Sequence, residues 1–248
     1  MRLIPLIPVV LAAALSACQP NEAPAVSPLA SAQVCQVPSD LTPAAPYEIP
    51  EKDVVADVAT GFNMLAVSWS PENCRSNKDY PDPVHQCAAN QFGLTLHGLW
   101  PNGAEGRHPR YCAAPGPAIK VQTVREHFCM MPSPELQQHE WAAHGTCGWQ
   151  SPEAYFEQSA KLWKALIHPD LEAIPSDRFT AGAIRDAFAT ANPGTPRNSV
   201  YVSANDGHFR EVRLCYSTTY QPMACPGGLG IADDVVLKLT PRGPQTAG

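Results

Sequence analysis

Stretches rich in β-branched and aromatic residues, each bounded by Gly, Pro or Asn, predict strands over residues 62–69, 92–96, 200–203, 209–216 and 235–239. Helical spacing of apolar positions is confined to the middle of the chain. Ser151-Pro152-Glu153 opens one such segment, after which Tyr155, Phe156, Ser159, Leu162, Trp163 and Leu166 recur on one face. A second covers 181–190 and is stopped by Asn192-Pro193-Gly194. Strands early and late with helices grouped between them predict an α+β fold rather than a doubly wound parallel sheet. No repeat or internal boundary interrupts residues 54–240, which are expected to form one domain, with 241–248 as a flexible tail.

A third helix, over 134–144, carries polar residues in an unusual arrangement. Ser133-Pro134-Glu135 reads as an N-cap followed by Pro in the first turn, and Gly145 as the stop. Counting about 100° per residue from His139, Glu140 falls at about 100°, His144 at about 140° and position 143 at about 40°. Trp141 and Ala142 fall on the opposite side, so Trp141 is expected to pack inward. Glu140 and His144 are an i, i+4 pair that can touch, and the helix dipole near its C-terminus favours an imidazolium at His144. A fourth such side chain, His97, lies upstream in Leu94-Thr95-Leu96-His97-Gly98-Leu99-Trp100-Pro101. Three histidines and a glutamate are the groups an enzyme uses to move protons near neutral pH without a metal. An isolated histidine is more often a satisfied core residue; three inside two dense segments indicate a site. Zinc is disfavoured, because the metalloprotease motif needs histidines four apart and His139 and His144 are five apart.

The N-terminal region indicates where this chemistry takes place. Residues 1–17 carry one cation, Arg2, then an apolar run and small residues, the pattern of an export signal too short to remain as a membrane span. Leu15-Ser16-Ala17-Cys18 resembles a bacterial lipobox, in which Cys18 is lipidated and becomes the first residue; the alternative is an ordinary signal peptide with Cys18 belonging to the fold. Cleavage before Cys18 would remove one of 17 basic residues and none of the 23 acidic ones, taking the formal charge from −6 to about −7. Setting Cys18 aside turns an odd total of nine cysteines into eight, enough for four disulfides in an oxidising compartment. Residues 18–53 are rich in Pro, Ala and Ser and read as a tether that ends its flexible part near Val34, where Cys35 can pin it to the body. Fully extended, the linker from Cys18 to Cys35 spans about 50 Å. The expected location is the periplasm, or the outer membrane through a lipid on Cys18, of a Gram-negative cell.

The two histidine segments resemble the active-site segments of the ribonuclease T2 family. Residues 94–101 match the first, and His139-Glu140-Trp141-Ala142-Ala143-His144-Gly145-Thr146-Cys147 matches the second except at 143. Phe62 through Trp69-Ser70-Pro71-Glu72-Asn73-Cys74 is similar to the family's first strand and turn, and Glu211-Val212-Arg213-Leu214-Cys215 to a late strand. The resemblance implies a central, mainly antiparallel sheet with helices packed around it. It also implies metal- and cofactor-independent cleavage of single-stranded RNA, with low sequence specificity, through a 2′,3′-cyclic phosphate to 3′-phosphate ends. In that reaction His144 is the base and His97 the acid, with His139 and Glu140 holding the phosphate. Trp100 and Asn102 are the candidates for base contact, with a core role for Trp100 as the alternative. The family pattern pairs Cys112 with Cys147 and Cys215 with Cys225, more loosely Cys74 with Cys87, and thereby Cys35 with Cys129.

One departure bears on rate. Family members commonly carry lysine where this chain has Ala143. Either a basic residue among Arg107, Arg110 and Arg125 reaches the site, or turnover is slower by about one to two orders of magnitude and Ala143→Lys would raise it. The acidic balance opposes tight, salt-sensitive RNA storage but not a transient encounter with substrate. No stable protein partner is implied. Two other readings are a catalytically silent envelope lipoprotein that binds a partner or nucleotide, and a zinc hydrolase using the same histidines.

Overall fold

The computed structural model describes residues 35–46, 48–49, 51–76, 84–89, 92–113 and 119–243. The segment read as an export signal, Cys18 and most of the segment read as a tether lie outside the described residues, as do residues 244–248.

Four strands form one antiparallel sheet in the order β2-β1-β4-β3: β1 is Phe62–Trp69, β2 Leu94–Asn102, β3 Val200–Asn205 and β4 His208–Tyr216. Between β1 and β2 lies a short helix, α1 (Ser70–Ser76). Four more helices, α2 (Val121–His127), α3 (Pro134–Ala143), α4 (Pro152–Ala165) and α5 (Ala181–Ala191), fall between β2 and β3. α3, α4 and α5 start where a hydroxyl caps them: Ser133, Ser151 and Thr180 accept from the backbone N–H of Leu136, Ala154 and Ala183.

The sheet has two unlike faces, and this division positions the site. Pairing sets Leu65 opposite Leu99 and Leu214, and Val67 opposite Leu96 and Val212; Val200 and Val202 extend the row across β3. All of these are buried in the core with Trp141, Tyr155, Phe156, Ile184 and Phe188 from α3, α4 and α5. The other face carries Ser68 opposite Glu211, Ala66 opposite Arg213, and Arg213 opposite Tyr201.

β2 continues past the expected stretch 92–96, through Gly98 and Pro101 to Asn102. As the edge strand it tolerates Pro101, whose missing N–H breaks no ladder bond on the outer side. That outer edge is covered: the N–H of Leu96 donates to Met130 O (2.8 Å) and that of Leu99 to the Tyr155 hydroxyl (3.0 Å). The expected strand at 235–239 does not form. Its backbone is divided among partners, with Leu237 donating to Phe179 and Lys238 to Gly207, and only isolated bridges at Val236 and Lys238. Leu237 is buried and Leu239 packs partly buried against the core, while Val235 and Val236 stay exposed.

Disulfides join Cys35 to Cys129, Cys74 to Cys87, Cys112 to Cys147 and Cys215 to Cys225. The segment read as a tether up to residue 53 packs on the body well before that point, with Leu41 in the core and Pro38 O accepting from Arg125. Besides Leu41, Val37 and Ile49 pack against the body, so several apolar side chains anchor the segment together with the Cys35 bridge.

The loop after β4 is held by a buried cation. Arg185 of α5, wholly enclosed, donates to the carbonyls of Val200 (3.1 Å), Leu229 (2.5 Å) and Ile231 (2.6 Å) and pairs with Asp233. Arg185→Met should therefore leave three carbonyls short of a donor and destabilise the fold by about 3 kcal/mol or more. Arg197 pairs with Asp186 and Asp233 at the surface, and Arg197→Met should cost under about 1 kcal/mol. Urea unfolding of the two variants checks this, and equal midpoints would contradict it.

Candidate active site

A break in the register of β2 aims its histidine. Val67 pairs with Leu96 and Ala66 with Gly98, so His97 is the extra residue of a β-bulge. In a regular strand His97 and Trp100 would face opposite ways. Here their rings meet edge-on at 5.1 Å, on the polar face. Gly98 is required by what crosses it: a Cβ there would overlap the Glu140 carboxylate and Trp100 Nε1.

α3 brings the remaining groups to this strand. Trp141 turns into the core, as its place on the helix predicts, and Glu140 reaches over β2, fully buried. Its Oε2 accepts from Trp100 Nε1 at 2.7 Å. Glu140 also faces both imidazoles, with Oε1 3.6 Å from His97 Nε2 and Oε2 4.0 Å from His144 Nε2. The helix ends at Ala143, with His144 as its C-cap, and a 3-10 turn, Gly145–Cys147, leads to the Cys112–Cys147 bridge. Gly145 allows that turn to lie against Trp141 and Tyr155, since a Cβ there would enter the indole ring.

His97, Trp100, Asn102, His139, Glu140 and His144 all line one cavity of about 510 Å³. Arg110, Arg213 and His108 complete its polar lining. Asn102 is buried and spends its Nδ2 on Trp100 O (2.7 Å). Trp100 stands between the histidines, 5.4 Å from the His144 ring, with the Arg213 guanidinium 5.0 Å from its centroid.

The protonation states diverge. Burial alone would depress His97, but the hydrogen bond to Glu211 and the charges of Glu140 and Glu211 outweigh it and raise its pKa above 6.5. His144 goes the other way: burial, then Arg110 and the neighbouring histidines, push it well below 6.5. The helix dipole was expected to favour an imidazolium there, and desolvation prevails over it. His139 is lowered to about 4 by burial, Arg110 and His97. Glu140 is raised to about 7, chiefly by burial. Within the cavity, protonation is thus favoured at His97 and disfavoured at His139 and His144.

Of the arginines considered for the gap at 143, Arg107 pairs with Asp57 on the surface and Arg125 with Pro38 O. Arg110 alone of the three lines the cavity. Ala143 is fully buried beneath Tyr111, whose N–H donates to Ala143 O (2.9 Å), and the Tyr111 hydroxyl accepts from Arg110 Nη2 (3.2 Å). Sequence reasoning missed Tyr111, and also Glu211 and Arg213. The last two alternate with Val212 and Leu214 in β4, the pattern of an ordinary solvent-facing row.

Comparison with known proteins agrees with this geometry. The profile of the ribonuclease T2 family matches residues 60–225. A probable ribonuclease of Haemophilus influenzae is 30% identical over 181 residues, covering 68% of this chain and 62% of that protein. A ribonuclease of Aeromonas hydrophila is 36% identical over 103 residues, covering 41% and 44%. The chain thus spans less than two thirds of these two relatives. Among solved structures, the RNase-related protein from Calystegia sepium superposes with a TM-score of 0.56 at 19% identity, over 74% of this chain and 98% of that one. RNase NT in complex with 5′-AMP superposes with a TM-score of 0.52 at 21% identity, over 75% and 100%. Both share the fold. With two thirds of its length matched by the family profile, and with the bulged strand and capped helix meeting as described, this chain belongs to the ribonuclease T2 family.

Proposed function

We propose that the chain is an endoribonuclease that cleaves single-stranded RNA by transesterification, without metal or cofactor. The observation that carries this reading is that His97 and His144 both face the buried Glu140 carboxylate in one cavity, with protonation favoured at His97 and disfavoured at His144. His144, neutral, takes the proton of a ribose 2′-hydroxyl as that oxygen attacks phosphorus. His97, charged, gives its Nε2 proton to the departing 5′-oxygen, leaving a 2′,3′-cyclic phosphate. In the second stage His97 takes a proton from water, His144 returns one to the 2′-oxygen, and a 3′-phosphate results. His139 and Glu140, raised toward its protonated form, donate hydrogen bonds to the phosphoryl oxygens, and Arg110 supplies the positive charge. Trp100 and Asn102 are proposed to meet a base. A silent, binding-only protein has no observation in its favour, because none of the four proton-handling groups is displaced from the cavity.

We also propose that the protein is exported and anchored by a lipid on Cys18, supported by the four disulfides and by the lipobox-like segment. The tether would then hold the catalytic domain clear of the bilayer.

Single-stranded RNA digested in EDTA should give cyclic phosphate ends, with DNA untouched. His97→Ala and His144→Ala should each lose about 10²- to 10⁴-fold in rate. The pH profile should be a bell whose plateau brackets 6.5, the acid limb from His144 and the alkaline limb from His97. Equal activity in wild type and His144→Ala would end the proposal. For the cation, Arg110→Met should slow cleavage about 10- to 100-fold. Ala143→Lys should slow it too, because the new side chain must displace Tyr111; a faster Ala143→Lys enzyme would show that the gap is real. Cys18→Ser should move the protein from the membrane to the soluble fraction, and unchanged fractionation would refute the anchor.

A further inference from the structure

We infer that Glu211 is a positioning residue that fixes the tautomer and the proton of His97, with Arg213 and Ser68 keeping it in place. The inference rests on the reading of His97 as the general acid.

Glu211 Oε2 lies 2.9 Å from His97 Nδ1, across the width of β1. The same oxygen accepts from Ser68 Oγ at 3.1 Å. The other oxygen accepts from Arg213 Nε at 2.8 Å and lies 2.7 Å from Arg213 Nη2. Arg213 is itself held between two rings, 5.0 Å from the centre of Trp100 and 5.2 Å from that of Tyr201. Glu211 is completely enclosed, yet these partners and the His97 charge hold it down to about 2 against the effect of burial. A carboxylate so placed stays ionised through the working range.

The two carboxylates at His97 therefore differ in role. Glu211 is hydrogen-bonded to Nδ1, whereas Glu140 stands 3.6 Å from Nε2, on the cavity side. With Nδ1–H committed to Glu211, the proton that leaves must come from Nε2, the atom that faces the cavity. After that transfer Nδ1 keeps its hydrogen, and Nε2 is bare and ready to take a proton from water. A free imidazole would divide itself between two tautomers, one of them useless for either step. The charged and titratable groups around His97 are Glu211 and Arg210 from β4, Arg213 through Glu211, and Glu140, His139 and His144 from α3 and its C-cap. Of these, Glu211 alone is hydrogen-bonded to the ring.

The test is a titration of the ring-labelled His97 by NMR in the wild type and in Glu211→Gln, beside pH profiles of both on a dinucleotide substrate. Wild-type His97 should titrate above 6.5. In Glu211→Gln its midpoint and the alkaline limb of kcat/KM should fall together by about one pH unit or more, and kcat should drop about 100-fold with KM less affected. A merely structural glutamate would lower activity without moving either midpoint, and that result would overturn the inference. So would a wild-type midpoint at or below 6.5, which decides the matter alone if Glu211→Gln does not fold. A chain that cleaves no RNA, but whose His97 titrates above 6.5 in the wild type and at least about one pH unit lower in Glu211→Gln, would retain this inference and lose the proposed function.

Discussion

Two fully buried carboxylates, Glu140 and Glu211, each lie within ion-pairing reach of His97, and most of the local structure follows from making that arrangement tolerable. An unpaired buried charge is expensive, so each must find partners. Glu211 finds them within the sheet, in Ser68 and Arg213. Glu140 finds one in the Trp100 indole, which it can reach only because residue 98 has no side chain. His97 is turned toward both by a bulge that spoils the regular alternation of β2. The apolar face of the same sheet supplies the rigidity, with Leu65, Val67, Leu96, Leu99, Val212 and Leu214 locked against the helices.

The asymmetry between the histidines follows from this enclosure. All three lose water, which favours the neutral ring, and His97 has two carboxylates to counter the loss. His144 has Glu140 at 4.0 Å, while Arg110 and three other imidazoles act against its protonation, and its Nδ1 is buried without a hydrogen-bond partner. Two side chains of the same type thus acquire opposed proton preferences from their neighbours alone. At position 143, where the family commonly has lysine, Tyr111 covers Ala143 and bonds Arg110, which lines the cavity from a loop tied to the turn after α3 by Cys112–Cys147.

Much of this was legible in the chain because local signals and global packing agree. Ser133 and Pro134 announce the helix, its 3.6-residue period separates Trp141 from His139, Glu140 and His144, and strands 62–69 and 209–216 carry the side chains their burial requires. What was hidden depends on partners distant in the sequence. Gly98 and Pro101 look like strand terminators until β2 is known to be an edge. Arg213 looks solvated until Trp100 and Tyr201 are seen to hold it, and Glu211 until His97, Ser68 and Arg213 are seen to bond it. Residues 235–239 look like a strand until their backbone is seen to serve several loops. Ala143 looks like a missing group until Tyr111 is seen above it.

The account stands or falls on which imidazole serves the leaving oxygen. An RNA dinucleotide with sulfur in place of the bridging 5′-oxygen leaves as a thiolate and needs no proton, so it separates the two roles. The account predicts that His97→Ala cleaves this substrate nearly as fast as the wild type, while His144→Ala stays as slow as on the oxygen substrate. Rescue of His144→Ala, with His97→Ala left slow, would contradict it.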